Sequence, residues 1–372
     1  MKVLILSITA GEGHNSTAEA IRQTFAEHGD EAEVFDAYRY VSKALYEIIK
    51  QGYLLVTKDF KKLFEKSYAL AENRKTSGNT SLYRIANLRL TRKLSGYIKQ
   101  YAPDAIIYTH PFLGVVTDLL KTKNGMDIPM IGVVTDFTVH PLWEEAHSTD
   151  RIVVANELLA SQLYRKGLRR EQIAPIGIPV RKQFSERTPK ARARASLGLA
   201  DKMTVLLMGG SMGYGDIASV VEELDGVDGD FQIISVCGNN REAKESVDAL
   251  LTKKRVLNYG FTKEIPLLMD ASDVIITKPG GLTTSEALVK KLPIIICNPI
   301  PGHEQRNAAF LLNNGVAMAV DEHTHFEDVF YQLLHSPTRL DGMRHAIEAI
   351  AKPESTEDLY TLTKELVQDY QD

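Results

Sequence analysis

Short runs of apolar, mostly β-branched residues alternate with longer amphipathic stretches along the whole 372-residue chain. The first half carries six such runs: Lys2 to Ser7, Ala32 to Phe35, Ala105 to Tyr108, Met130 to Val134, Ile152 to Val154 and Ile173 to Ala174. The second half carries six more: Thr204 to Met208, Gln232 to Val236, Val256 to Asn258, Val274 to Thr277, Ile294 to Cys297 and Ala317 to Val320. Near-continuous apolar strands separated by helical stretches predict parallel sheets covered on both faces. Each half therefore predicts its own doubly wound, Rossmann-like α/β domain.

The pattern breaks between residues 181 and 202, "RKQFSERTPKARARASLGLADK", which is polar and carries Pro189. This stretch predicts a linker with a short helix. It separates an N-terminal domain over 1–180 from a C-terminal domain over 203–350. In the tail, 351–372, Leu359, Leu362, Leu366 and Val367 have helical spacing. A final helix is expected there, packing back across the seam. Folds of this kind bind ligands outside the carboxyl ends of their strands. The loops at those ends are expected to meet in a cleft between the domains.

Composition narrows the class. An apolar fraction of 44% and a charged fraction of 25% are ordinary for a soluble globular chain. The two cysteines, Cys237 and Cys297, flank apolar runs and read as buried, reduced thiols. The first apolar run stops after a few residues with no small-residue cleavage site, and no run approaches the roughly 20 residues that span a bilayer. A cytoplasmic location is expected. The net charge of −4 hides an asymmetry, because Arg39 to Lys99 holds fourteen Lys or Arg against four Asp or Glu. Such a segment suits an anionic surface, nucleic acid or membrane head groups, or else forms a solvated helical face.

The chemistry-bearing loops follow strands. In "KPGGLTTSEAL", Pro279, Gly280 and Gly281 make a tight turn ahead of a helix start at Thr283, Thr284 and Ser285, which reads as an anion site. Glu286 follows as an acceptor for ribose hydroxyls. In "PGHEQRN", His303, Glu304, Gln305 and Asn307 open the next helix and suit a sugar. "LLMGGSMGYGD" offers the backbone amides of Gly209, Gly210, Gly213 and Gly215, with Ser211 and Met212 between them, for a diphosphate. Phe261 follows a strand and could read a nucleobase with its backbone. In the first half, "GEGHNSTAEAI" places His14 after Gly11-x-Gly13, and "VVTDF" places Asp136 at a strand end. Either could serve as general base, and Asp136 could instead orient an imidazole. His140 and Trp143, the single tryptophan, suit an acceptor channel, and Trp143 equally suits a core. A dinucleotide reading of Gly11-x-Gly13, with Ser16 and Asp36, leaves the paired motifs of the second half unexplained. Asp228-x-Asp230 lies in a turn and reads as a solvated loop, so no metal site is expected.

"KPGGLTTSEAL" with "PGHEQRNAAFLL" resembles the donor signature of glycosyltransferase family 28. "GEGHNSTAEAI", "VVTDFTVHPLW" and "GIPVRKQF" narrow the resemblance to monogalactosyldiacylglycerol synthases and bacterial processive diacylglycerol glucosyltransferases. The likeness spans essentially the whole chain. It implies a GT-B fold and inverting transfer of a hexose from a UDP-sugar to the hydroxyl of diacylglycerol. The UDP-sugar is a co-substrate, and no cofactor is implied. Glucose is the favoured hexose and galactose the next. Glu286 would hold the uridine ribose, the Gly209 to Gly213 loop the diphosphate, and His303 and Glu304 the sugar. His14 or Asp136 would activate the acceptor. A lipid acceptor turns the basic 39–99 segment toward the anionic inner face of the cell membrane rather than toward nucleic acid. Two other classes fit in part: another GT-B enzyme, such as a lipid-linked GlcNAc transferase or a UDP-GlcNAc epimerase, and a non-catalytic UDP-sugar sensor.

Overall fold

The computed structural model describes residues 1–8, 12–41, 80–213 and 215–372. Most of the basic 39–99 segment lies outside the described residues, as do Thr9, Ala10 and Gly11 of the first glycine loop. The chain forms two compact units. One takes in Met1–Lys182, Pro301–His303 and Glu354–Asp372, the other Gln183–Ile300 and Glu304–Pro353.

The first unit holds β1 (Lys2–Ser7), β2 (Glu31–Asp36), β3 (Ala105–Tyr108), β4 (Met130–Val133), β5 (Arg151–Val153) and β6 (Ile173–Ala174). They pair in parallel in the order β2-β1-β3-β4-β5-β6. The second holds β7 (Met203–Met208), β8 (Phe231–Val236), β9 (Val256–Tyr259), β10 (Val274–Thr277), β11 (Ile294–Ile296) and β12 (Ala317–Ala319). Their order is β12-β11-β10-β7-β8-β9, again parallel. Each strand lies within one residue of an apolar run in the sequence. The physical reason is burial on both faces: Val3, Leu4, Ile5 and Leu6 of β1 and Val274, Ile275 and Ile276 of β10 are all fully buried. The edge strand β2 differs, with Glu31 and Glu33 placing charge along an open edge.

Strand order fixes where ligands go. In the first sheet the chain reverses direction between β1 and β3, and in the second between β7 and β10. In folds with such a reversal, the connections after the two strands run to opposite faces of the sheet and leave a crevice at the carboxyl ends.

Packing in the first unit bears on two sequence expectations. Of the two roles open to Trp143, the structure takes the core: the ring is 1% exposed and stacks on Tyr108 with centroids 5.6 Å apart. A Cβ at Gly132 would sit 2.6 Å from the Trp143 ring and 2.8 Å from Tyr108. Glycine in β4 is thus what lets the two rings pack there, and overpacking of this sort costs about 1–3 kcal/mol. The final helix, Ser355–Gln371, belongs to the first unit, where Leu359, Leu366 and Val367 join its core. Ser355 and Thr356 donate their hydroxyls to the carbonyls of Ile178 and Val180. Tyr360 stacks on His28 at 3.9 Å. Both cysteines are free thiols; Cys237 is buried and Cys297 half-buried. Among the described residues, no helix is long and apolar enough to cross a membrane.

Candidate active site

At the first crossover the helix is Glu12–Glu27, so His14, expected just after the glycine loop, lies in its first turn. Buried Ser7, the last residue of β1, donates to Asn15 Oδ1 at 2.7 Å and tethers this turn to the strand end. His14 Nδ1 lies 2.7 Å from the Thr109 carbonyl, just past β3, and 3.1 Å from Thr135 Oγ1, just past β4. A carbonyl can only accept, so Nδ1 carries the proton and Nε2 is left with the lone pair. Burial lowers the His14 pKa, opposed by the Asp136 carboxylate and the Thr109 hydrogen bond; His303 lowers it further. The imidazole is therefore neutral at pH 7. Asp136 is half-buried and acts on His14 through its charge.

Two neighbours of His14 carried no sequence signal of their own. Thr109 supplies the carbonyl that sets the tautomer. His110 is 8% exposed, and its ring centroid is 4.6 Å from that of His14. It caps the helix Pro111–Thr122, its Nδ1 accepting the Phe112 N–H at 3.3 Å. Burial and the neighbouring His14 and His140 hold its pKa well below the ordinary value. "THPF" reads as a strand-to-helix turn in isolation; only the pairing of β3 beside β1 brings it to His14.

At the second crossover, the loop after β7 is backbone packed on backbone. Gly213 has φ +58°, and a Cβ there would fall 2.1 Å from the Cys237 carbonyl oxygen. Its own carbonyl accepts from Asn240 Nδ2 at 3.1 Å, and the Ser211 carbonyl accepts from the Asn239 N–H at 2.8 Å. Gly210 also has a positive φ, Ser211 is half-buried, and Met212 stands 51% exposed at the tip. A shallow depression is lined by Gly209, Gly215, Asp216, Lys278 and Asn298, among others.

After β10, Pro279 and Gly280 lead into the helix Gly281–Val289. Gly280 is the N-cap and provides no side-chain cap, so the first-turn amides have no side-chain acceptor at that position. Thr283 is half-buried near the helix start. The hydroxyls of Thr284 and Ser285, expected from the sequence as ligand donors, are engaged within the helix here. Thr284 donates to the Gly280 carbonyl at 2.7 Å and Ser285 to the Gly281 carbonyl at 2.8 Å, the usual back-bonding of such residues inside a helix turn. Glu286 is 7% exposed.

The helix His303–Asn313 brings the later motif to the same end of the sheet. Glu304 is almost fully buried: one oxygen accepts from the Ile300 N–H at 2.8 Å, and the other pairs with Lys278 Nζ at 3.0 Å. Asn307 donates to the Pro279 carbonyl at 3.0 Å. These two residues therefore brace the turn after β10. His303 is half-buried, Gln305 is exposed, and Phe261, past β9, is 64% exposed. Lys278, which the sequence reading passed over, runs beside the glycine loop, its Cε 3.6 Å from where a Cβ of Gly210 would be. Among the described residues no cluster of three or more His, Cys, Asp or Glu could hold a metal.

Two six-stranded parallel α/β domains, each with its polar loops at a crossover, define the GT-B class of glycosyltransferases. Solved structures share this fold: MurG of Acinetobacter baumannii at TM-score 0.66 and 16% identity, covering 98% of this chain and 99% of that one; and Anabaena Alr3699/HepE in complex with UDP at TM-score 0.57 and 15% identity, covering both chains fully. Residues 14–180 match the family model of monogalactosyldiacylglycerol (MGDG) synthase. Residues 204–357 match the glycosyltransferase family 28 C-terminal domain. A processive diacylglycerol beta-glucosyltransferase of Bacillus cereus (strain AH187) is 30% identical over 363 residues, 96% of this chain and 92% of the relative. One from Bacillus pumilus (strain SAFR-032) is 28% identical over 367 residues, 96% and 93%. The chain belongs to this family of diacylglycerol glycosyltransferases.

Proposed function

We propose that the protein transfers a hexose, glucose in the first instance, from a UDP-sugar to the free hydroxyl of diacylglycerol. The acceptor class comes from the relatives' names and the sequence resemblance. The observation that carries the chemistry is the neutral His14, its Nδ1–H committed to the Thr109 carbonyl and its Nε2 available as a base. In this reading Nε2 takes the hydroxyl proton as the oxygen attacks the anomeric carbon. The bond to the UDP oxygen breaks with its electron pair, and the configuration inverts. Asp136 stabilises the imidazolium that forms. On the donor side, Glu286 accepts from the ribose hydroxyls. The uncapped turn at Gly281 and the glycine loop donate to the diphosphate, with Lys278 as the accompanying cation. His303 and Gln305 remain the candidates for sugar contacts. Contact with the membrane is peripheral, through the basic 39–99 segment, on the cytoplasmic face.

The test is UDP release and glycolipid formation on anionic liposomes containing diacylglycerol, with UDP-glucose, UDP-galactose and UDP-GlcNAc offered separately. Glycolipid from UDP-glucose is the expected result. UDP binding without release from any donor would point instead to a sensor.

A further inference from the structure

We propose that His110 is the second imidazole of the acceptor site, donating its Nε2–H to an ester carbonyl of the acceptor while His14 removes the proton of the adjacent hydroxyl. The inference rests on the reading of His14 as base and adds a recognition role to the same site.

Three observations carry it. The first is placement. His14 follows β1 and His110 follows β3, the two strands that flank the crossover of the first sheet, and the rings pack 4.6 Å apart. The second is a pair of opposite tautomers fixed by one turn. The Thr109 carbonyl holds a proton on Nδ1 of His14, leaving Nε2 as an acceptor. The Phe112 amide donates to Nδ1 of His110, which puts that ring's proton on Nε2. The two neutral rings therefore present one lone pair and one N–H side by side. The third is that His110 is 8% exposed with its Nδ1 committed to the Phe112 amide, so Nε2–H is the donor this ring has left to offer a ligand.

A hydroxyl next to a proton-free oxygen complements such a pair. Diacylglycerol has this arrangement, with a free hydroxyl on the carbon beside an ester-bearing one. An ester carbonyl is the stronger acceptor there; an ether analogue keeps the hydroxyl and loses the carbonyl. The site should then prefer diacylglycerol over the matched dialkylglycerol.

The variant that separates this role from helix capping is His110→Asn. Asparagine caps the Pro111–Thr122 helix well but withdraws the ring. The expected result is a fall of about tenfold in kcat/KM for diacylglycerol, as befits one lost hydrogen bond. The KM for the UDP-sugar should stay unchanged, and the diacyl-over-dialkyl preference should collapse toward one. Thermal unfolding reports whether the first unit of the variant is folded; if asparagine lowers the transition, His110→Ser, another capping side chain, repeats the measurement. Wild-type kcat/KM in the asparagine variant would overturn the proposal. So would equal losses for both acceptors, or a wild-type enzyme indifferent to the ester. His14→Ala separates the two readings. If it keeps wild-type turnover, the base assignment falls and the inference with it. If it is inactive while His110→Asn is fully active, only the inference falls.

Discussion

The two crossovers sit at equivalent places in two similar sheets, yet they are built from different materials. At β1/β3 the polar groups are imidazoles held neutral by burial, with tautomers set by a carbonyl and an amide. At β7/β10 the loops are glycine backbone, an uncapped helix start, and a buried carboxylate bound to a lysine. A hydroxyl must be deprotonated by a base whose lone pair is free at neutral pH, which a desolvated, neutral histidine provides. A diphosphate carries its charge before and after, so fixed N–H groups and a cation suit it. In the proposed reading the same topology serves both, because strand order positions the crevice while loop residues decide its chemistry.

The largest effect expected from breaking this division is at His14. His14→Ala should lower kcat by roughly 10²–10⁴-fold, the usual contribution of a general base. UDP affinity, measured by calorimetry, should not move. Wild-type turnover would remove the base from the first crossover. The wild-type pH profile sharpens the point. Because burial lowers the His14 pKa from its ordinary 6.5 against the pull of Asp136, the acid limb of kcat/KM should lie below that value. An acid limb above it would mean that the ring is not desolvated.

The next effect belongs to the other crossover. Glu286→Ala should weaken UDP binding by about 10–100-fold, the range for hydrogen bonds to a charged group, with kcat at saturating donor largely kept. Unaltered donor affinity would break the ribose assignment. Lys278→Gln is a smaller test of the diphosphate side. UDP affinity should fall about tenfold while uridine affinity holds, since one charge-assisted contact is lost. Equal losses for UDP and uridine would show Lys278 acting only through Glu304. The smallest effect is at Asp230, which pairs with Lys202 and has a side chain 84% exposed. Asp230→Ala should change stability by less than about 1 kcal/mol and leave UDP affinity unchanged. A metal-dependent loss of activity in that variant would reopen the DxD reading of the turn.

Much of this architecture can be read from single segments. The runs at Val274 to Thr277 and Ile294 to Cys297 have the apolar continuity of doubly covered strands, and the structure pairs them in parallel. Gly213, where a Cβ would fall 2.1 Å from the Cys237 carbonyl oxygen, announces a loop that only a residue without a Cβ can close. Side-chain roles in the same loops are less legible. Thr284 and Ser285 look like ligand donors by type, but a helix offers their hydroxyls a nearer carbonyl four residues back. Glu304 looks like a sugar contact, but its two oxygens meet Ile300 and Lys278. Trp143 looks like a channel wall until Gly132 makes room for it in the core.

By itself the sequence determined the strands, the two-domain organisation and the family, because periodicity and loop glycines are local properties of the backbone. Tertiary structure alone decided which imidazoles meet and which nitrogen of each bears the proton. His14 and His110 are 96 positions apart, and only the pairing of β1 with β3 places the Thr109 carbonyl against one ring and the two rings against each other. Tautomer and protonation depend on what surrounds a ring in space, and no spacing along a chain encodes that.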